Sequence, residues 1–176
     1  MLIDIATFDS YNNLGTDVDI DPLKTLVIDS ACNEVVKYLG YNPEAKTYTS
    51  TVDGQGEYYI RLDARPINSI SSVVVDGVSL SPTDFVYNSN LLYHKSHLNV
   101  FNKGFNNVVV GYNAGYSTLP SDIKIVALEI ASLLWMEKSG NIGITSRADG
   151  DLGSRTFFKT TDFLPYLRRL SSYRIF

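Results

Sequence analysis

The chain has 176 residues, 44% of them hydrophobic, and a formal net charge of −4. That length supports one domain with one buried core, about 70% of the unfolded surface being removed from water; the charge leaves no global basic field to draw in nucleic acid or membrane. A single cysteine, Cys32, excludes an internal disulfide and a cysteine-rich metal site, no apolar run approaches the roughly 18 residues a membrane helix needs, and the start Met1-Leu2-Ile3-Asp4 lacks a signal peptide's basic residues, so a soluble, intracellular product is expected.

In chain order, Thr7-Phe8-Asp9-Ser10-Tyr11 predicts a short helical turn capped by Thr7, followed by a loop over Asn12 to Asp19. Asp21-Pro22 is a cap followed by a proline at the first helical position, which starts a helix running to Leu39-Gly40. Its expected apolar stripe is Leu23, Leu26, Val27, Ala31, Val35, Tyr38 and Leu39. Cys32 lies beside that stripe as a small packing residue, with nothing near it to lower a thiol pKa.

After Asn42-Pro43 the pattern becomes β-rich. Thr47–Val52 and Glu57–Leu62 flank Asp53-Gly54-Gln55-Gly56, which reads as a hairpin. Ile70–Val75 is closed by the turn Asp76-Gly77, and short strands are expected at Phe85–Tyr87, Leu91–Tyr93 and Leu98–Phe101. Val108-Val109-Val110 suits a buried strand, ended by Asn113 and the glycines Gly111 and Gly115, which tolerate the backbone angles of a turn. Pro120, Ser121 and Asp122 then open a second long helix whose apolar positions are Ile123, Val126, Ala127, Ile130, Leu133 and Leu134, stopped by Ser139-Gly140. Antiparallel strands between two long helices make an α+β fold: two long core helices packed together with shorter ones, and an inserted antiparallel β region.

Residues 141–154 carry three glycines and few apolar side chains and read as a flexible loop. Arg155–Lys159 can add a strand, and Phe163–Leu170 predicts a short helix entered through Thr161 or Asp162. The expected organisation is a core domain over residues 1–140 with its β-rich insertion at about 47–112, then a loop and an extended C-terminal arm over 141–176.

No phosphate-binding glycine loop, dinucleotide fingerprint or nucleophile elbow occurs. His94 and His97 sit in a hairpin-like context without a carboxylate or cysteine to complete a zinc set, and Asp149-Gly150-Asp151 lacks the distal glutamate of a calcium loop. Asp63 with Arg65, and Glu129 with Lys124, read as solvated charges. No nucleophile–base pair can be nominated, so an enzyme is not expected, and neither cofactor nor metal is implied. A small hydrolase would need a site assembled from residues distant in sequence.

The charge layout carries more information. Residues 1–34 hold the acids Asp4, Asp9, Asp17, Asp19, Asp21, Asp29 and Glu34 against Lys24 alone. From Gly153 onward the balance reverses, with Arg155, Lys159, Arg168, Arg169 and Arg174 against Asp162. Two solvated faces would account for this; so would head-to-tail contact between copies through Asp17, Asp19 and Asp21 on one side and Arg155 and Lys159 on the other. The tail also interleaves Phe163, Leu164, Tyr166, Leu167, Tyr173 and Phe176 with its arginines, the composition of a protein-binding segment. A DNA-binding module built on that basic segment is the alternative, although the tail has no known DNA-binding motif.

Several stretches together resemble one family. They are Thr7–Tyr11 with the helix ending Val36-Lys37-Tyr38-Leu39-Gly40; Arg65-Pro66-Ile67-Asn68-Ser69-Ile70-Ser71-Ser72-Val73 running into Val75-Asp76-Gly77; Val108–Tyr116 followed by Leu119-Pro120-Ser121-Asp122-Ile123-Lys124; and Leu164-Pro165 with Leu170-Ser171-Ser172-Tyr173-Arg174. In that order they are similar to the head–tail connector (adaptor, head-completion, DNA-packaging) proteins of tailed bacteriophages. The resemblance implies a virion protein made in the host cytoplasm and placed in the neck. It implies a homo-oligomeric ring, typically of twelve copies, between the portal protein and a tail-side connector or stopper, extending a channel through which genome DNA passes without specific binding and with no membrane involved. It further implies that the C-terminal segment docks on the portal, which here corresponds to Phe163–Phe176, with Arg168, Arg169 and Arg174 among the contacts.

Overall fold

The computed structural model describes residues 2–15, 20–138, 146–148, 154–156 and 162–174. The fold is α+β, and the described residues form four α-helices and two antiparallel sheets plus a short two-stranded ladder. Two compact units divide the chain: residues 1–40 with 120–176 form a helical unit, and residues 41–119 a β unit.

In the helical unit, α1 (Ile5–Asn12) is capped by Asp4, not Thr7: the Asp4 carboxylate accepts from the Thr7 backbone N–H at 2.7 Å. That hydrogen bond holds the Asp4 carboxyl below the usual carboxylate range. Asn13, at φ 53°, takes the left-handed turn that ends the helix.

Helix α2 (Asp21–Leu39) begins with Pro22 in its first turn and ends on Gly40, as the sequence predicts. Its buried face differs from the expected stripe. Lys24, Ile28, Ala31, Cys32, Val35 and Leu39 are buried, while Leu26 is 65% exposed. The face is therefore rotated toward a lysine, and Lys24 is fully buried because its ammonium donates to Asp9 at 2.9 Å and lies 3.3 Å from Asp21. An apolar-only stripe cannot find a position whose charge is neutralised from another helix. Asp9 belongs to α1, fifteen residues earlier.

Helix α3 (Ser121–Lys138) buries Ile123, Val126, Ala127, Leu128, Ile130 and Ala131. Phe8 of α1 packs edge-on against Trp135, with ring centroids 5.9 Å apart. Strands β8 (Ser146–Ala148) and β9 (Ser154–Thr156) pair antiparallel, β9 covering the start of the strand expected at Arg155–Lys159. A single turn, α4 (Leu164–Leu167), continues as a 3₁₀ helix over Arg168–Tyr173. Its entry is fixed by Asp162, whose side chain accepts from the Leu164 N–H at 3.1 Å.

The β unit holds β1 (Lys46–Gly54), β2 (Tyr59–Arg61), β3 (Ile67–Val75), β4 (Val78–Leu80), β5 (Phe85–Asn88), β6 (Leu91–His94) and β7 (Gly104–Ala114). One sheet has the order β1-β7-β3-β4, the other β2-β6-β5. The hairpin expected between Thr47–Val52 and Glu57–Leu62 does not form; β1 pairs with β7 and β2 with β6. The glycine-rich stretch between them is instead tied to the start of β7 and the chain just before it. Gly54 N–H donates to the Asn107 side chain at 2.8 Å, and Gly56 N–H donates to the Phe101 carbonyl at 2.8 Å. The Asp76-Gly77 turn does form, with φ 51° and 79° at its two central residues, the primed geometry that matches strand twist. Leu98–Phe101 is irregular, not a strand.

Alternation along β7 sets the core. Val108, Val110 and Tyr112 point inward and are fully buried, joined by Val73, Val75, Leu62, Leu92 and Phe101. The Tyr112 hydroxyl lies 3.1 Å from Ser50 Oγ, which donates to Asp63 at 2.8 Å, and it also accepts from the Ala64 N–H at 3.3 Å. Exposed Asp63 thus ends a hydrogen-bonded chain that runs through Ser50 to the buried Tyr112.

His94 sits between Phe85 and Phe101, 4.5 and 4.7 Å from their ring centroids. Burial holds its imidazole below the usual histidine range, against an opposing pull from Asp84. The folded state therefore keeps the neutral ring while the unfolded chain accepts a proton from about pH 6.5 downward. Stability should fall as pH drops from 7 to 5, and His94→Phe should remove that part of the slope in thermal melts. An unchanged slope in the variant would assign the pH response to other groups.

Candidate assembly surfaces

The C-terminal residues expected to grip a partner are divided by the structure. Leu167 is buried, together with Leu170, so it packs inside the helical unit and is not presented outward. Its spacing of three from Leu170 puts both on the inner side of a tight helix. Phe163, Tyr166 and Tyr173 are half-buried, whereas Leu164, Arg168, Arg169 and Arg174 are exposed.

Three of these side chains are held by α2 and α3. Arg169 forms an ion pair with Glu129, the acid expected to lie near Lys124. Tyr173 donates to Asp122 at 3.4 Å. Arg174 stacks over the Tyr38 ring at 5.1 Å. Residues 162–174 therefore lie along the helices, where the sequence suggests an extended arm. A groove of about 530 Å³ lined by Tyr11, Asn12, Glu129, Leu133, Met136 and Tyr166 adjoins this segment. Tyr11 is 44% and Met136 60% exposed, so an apolar strip borders the arginines.

Among the five residues expected at copy-to-copy contacts, Asp17, Asp19 and Lys159 lie outside the described residues, as does Phe176. Asp21 is engaged with Lys24 inside its own chain. Arg155 is the central residue of β9, directly opposite Arg147.

The β unit carries a surface that apolar patterning does not reveal. Tyr59 and Tyr93 face each other across β2 and β6 with centroids 6.0 Å apart, and Tyr58 lies 5.4 Å from Tyr59 and 5.0 Å from His97. The adjacent Tyr58-Tyr59 pair in the sequence is the only signal for it.

The described residues bring no reactive centre together. His94 is stacked between phenylalanines and His97 belongs to the tyrosine cluster, so the two histidines do not converge on an ion. No group of three metal-binding side chains occurs among the described residues. Burial pushes the Cys32 thiol up, away from reactivity. Burial also pushes the Tyr41 phenol up to about 12, with Arg65 stacked on its ring at 5.5 Å. The candidate calcium-loop residues Asp149 to Asp151 fall outside the described residues. No described helix is long and apolar enough to cross a membrane.

A family model described as head completion protein matches residues 1–174. The chain belongs to the head completion protein family. That membership makes it a structural component and not an enzyme. Three solved structures share the fold of this head completion protein. One is the neck of an empty GTA particle computed with C6 symmetry, at 14% identity and TM-score 0.54, covering 77% of this chain and 78% of that one. The neck of a native GTA particle computed with C12 symmetry matches at 10% identity and TM-score 0.56 over 75% of each chain. The virion of a native gene transfer agent (GTA) particle matches at 13% identity and TM-score 0.60, over 98% of this chain and 89% of that one. No curated protein sequence matches significantly.

Proposed function

We propose that this head completion protein is a neck component of a tailed-phage-like particle, an adaptor that forms a ring between the portal and the tail and extends the DNA channel. The observation that carries this is the family match over residues 1–174, joined to a fold shared with particle necks over 75–77% of the chain and with a virion structure over 98%. The C6 and C12 symmetries of those neck structures support a closed ring of identical copies. The ring's neighbours are the portal on one side and a tail-side connector or stopper on the other. Genome DNA passes without being held, which a chain of net charge −4 permits.

Portal docking is assigned to the exposed part of the C-terminal segment: Leu164, Arg168, Arg169 and Arg174, with Phe163, Tyr166 and Tyr173 at its edge. Aromatic and arginine side chains are the usual anchors of such contacts. Because Leu167 and Leu170 are buried, deleting the whole segment would damage the helical unit, so point variants test the role more cleanly. Leu164→Asp with Arg168→Glu should keep the wild-type melting temperature within a few degrees and reduce copurification with the portal by about tenfold or more. Normal portal binding by that folded variant would remove this docking assignment.

A further inference from the structure

We infer that the outward face of the β2-β6-β5 sheet, with the cleft beside it, binds a neutral oligosaccharide. Tyr59 stacks beneath one pyranose ring, while Asp53, Gln55 and Glu57 take the sugar hydroxyls. This goes beyond the neck reading and does not depend on it.

The sheet builds an aromatic platform. Tyr59 stands opposite Tyr93, and Tyr93 opposite Val86, so the three form one row across β2, β6 and β5. Side chains alternate between faces along a strand, and the neighbouring Ile60, Leu92 and Phe85 are buried in the core. The row therefore lies on the outward face, where Tyr59 is 40% and Val86 47% exposed. Other rings hold Tyr59 in place. Tyr58 meets it edge-on with centroids 5.4 Å apart, Tyr93 lies tilted at 6.0 Å, and Tyr58 itself packs edge-on against His97 at 5.0 Å. An exposed ring braced in this way has little freedom left to lose on binding.

Beside the platform runs a cleft of about 550 Å³, in which Tyr59 is joined by Asp53, Gln55, Glu57, Arg61 and Asn106. The backbone that carries these groups is fastened. Asp53 accepts from the Asn106 N–H at 2.6 Å. Gly56 N–H donates to Phe101 O and Phe101 N–H donates to Glu57 O, each at 2.8 Å. Gln55 and Glu57, both exposed, are thus presented from a fixed segment.

The chemistry of the lining selects the ligand. A pyranose has a flat face of C–H groups and a rim of hydroxyls, each of which donates and accepts. The C–H face suits a tyrosine ring, and the hydroxyls suit carboxylates and side-chain amides. Two carboxylates in the cleft repel phosphate, nucleic acid and acidic sugars, and Arg61 among them disfavours a cation. A wholly apolar ligand would bury Asp53, Gln55 and Glu57 without partners. A neutral, polyhydroxylated chain satisfies platform and cleft together.

The full chain is titrated with cellohexaose, maltohexaose and chitohexaose, with calorimetry for affinity and amide NMR shifts for location. At least one sugar should bind with a Kd of about 1 mM or tighter, its shifts centred on Asp53, Glu57, Tyr59, Tyr93 and Asn106. Tyr59→Ala and Glu57→Ala should each weaken binding by about tenfold, whereas Tyr59→Phe, which keeps the ring, should stay within about twofold. Both positions are exposed, so the variants should keep the wild-type melting temperature. Absence of binding to all three sugars at about 10 mM overturns the inference, as does sugar binding that Tyr59→Ala leaves intact. If a lysine-rich peptide binds and the sugars do not, charge alone governs the cleft and the inference falls. It falls equally if no sugar binds and Tyr59→Ala abolishes self-association, which would make this face a contact between copies. Each of these results leaves the neck reading standing.

Discussion

Asp9→Leu should lower the melting temperature by roughly 10 °C, and adding Lys24→Met should recover most of that loss. Lys24 is fully buried, and its ammonium has two carboxylates in reach, Asp9 at 2.9 Å and Asp21 at 3.3 Å. The hydrogen bond it donates to Asp9 is the largest influence holding the ammonium above its ordinary range, and it outweighs desolvation. Because the folded pKa lies above the unfolded one, this contribution is complete below about pH 10.5 and disappears as pH rises through the folded value. Removing Asp9 leaves a charge out of water with only half-exposed Asp21 beside it, so desolvation then dominates. Removing both ends leaves apolar groups of similar size, which a core accepts readily. A double variant no more stable than Asp9→Leu alone, by calorimetry, would show that the loss comes from packing and not from the stranded charge.

Gly115→Ala should cost about 3–5 kcal/mol, the sum of backbone strain and overpacking. Gly115 has φ +108°, and a Cβ there would lie 2.3 Å from the Glu44 carbonyl oxygen and 2.5 Å from its carbon. Both neighbours are backbone, so neither can swing aside. The site is also fastened by Gly115 N–H donating to Pro66 O at 2.9 Å and Asn68 Nδ2 donating to Gly115 O at 2.7 Å. Gly77 provides the control. Its φ is +79°, but a Cβ there would meet nothing within 4 Å, so Gly77→Ala should cost only about 1–2 kcal/mol. Equal losses for the two variants in urea titrations would mean that the close approach to Glu44 contributes nothing.

What the sequence makes legible follows from how local the determining interaction is. The ends of α2, the Asp76-Gly77 turn and the short strands β5 and β6 are set by residues within a few positions, and each is found where expected. The partners of β1 and β2 are not, since Thr51 pairs with Val109 and Ile60 with Leu92. Strand pairing across such separations leaves no mark in turn chemistry. The burial of Lys24 escaped for the same reason, because Asp9 on another helix neutralises it. Among the surface residues, composition cannot tell Leu164, which is exposed, from Leu167, which is buried three residues later. The tyrosine cluster around Tyr59 depends on β2 lying beside β6, a long-range fact.

The two ends of the β unit are stitched to each other. Glu44 and Tyr116 form a parallel bridge, Tyr116 N–H donates to Pro43 O at 2.7 Å, and Ala45 N–H donates to Tyr116 O at 3.3 Å. Some 70 intervening residues thus leave and return through one narrow seam. For the helical part, the entropic distance between α2 and α3 is that of a short linker once the seam has closed. The whole β module is then an exchangeable cassette, one that lineages can trade, enlarge or trim at the seam without redesigning the helices that carry it.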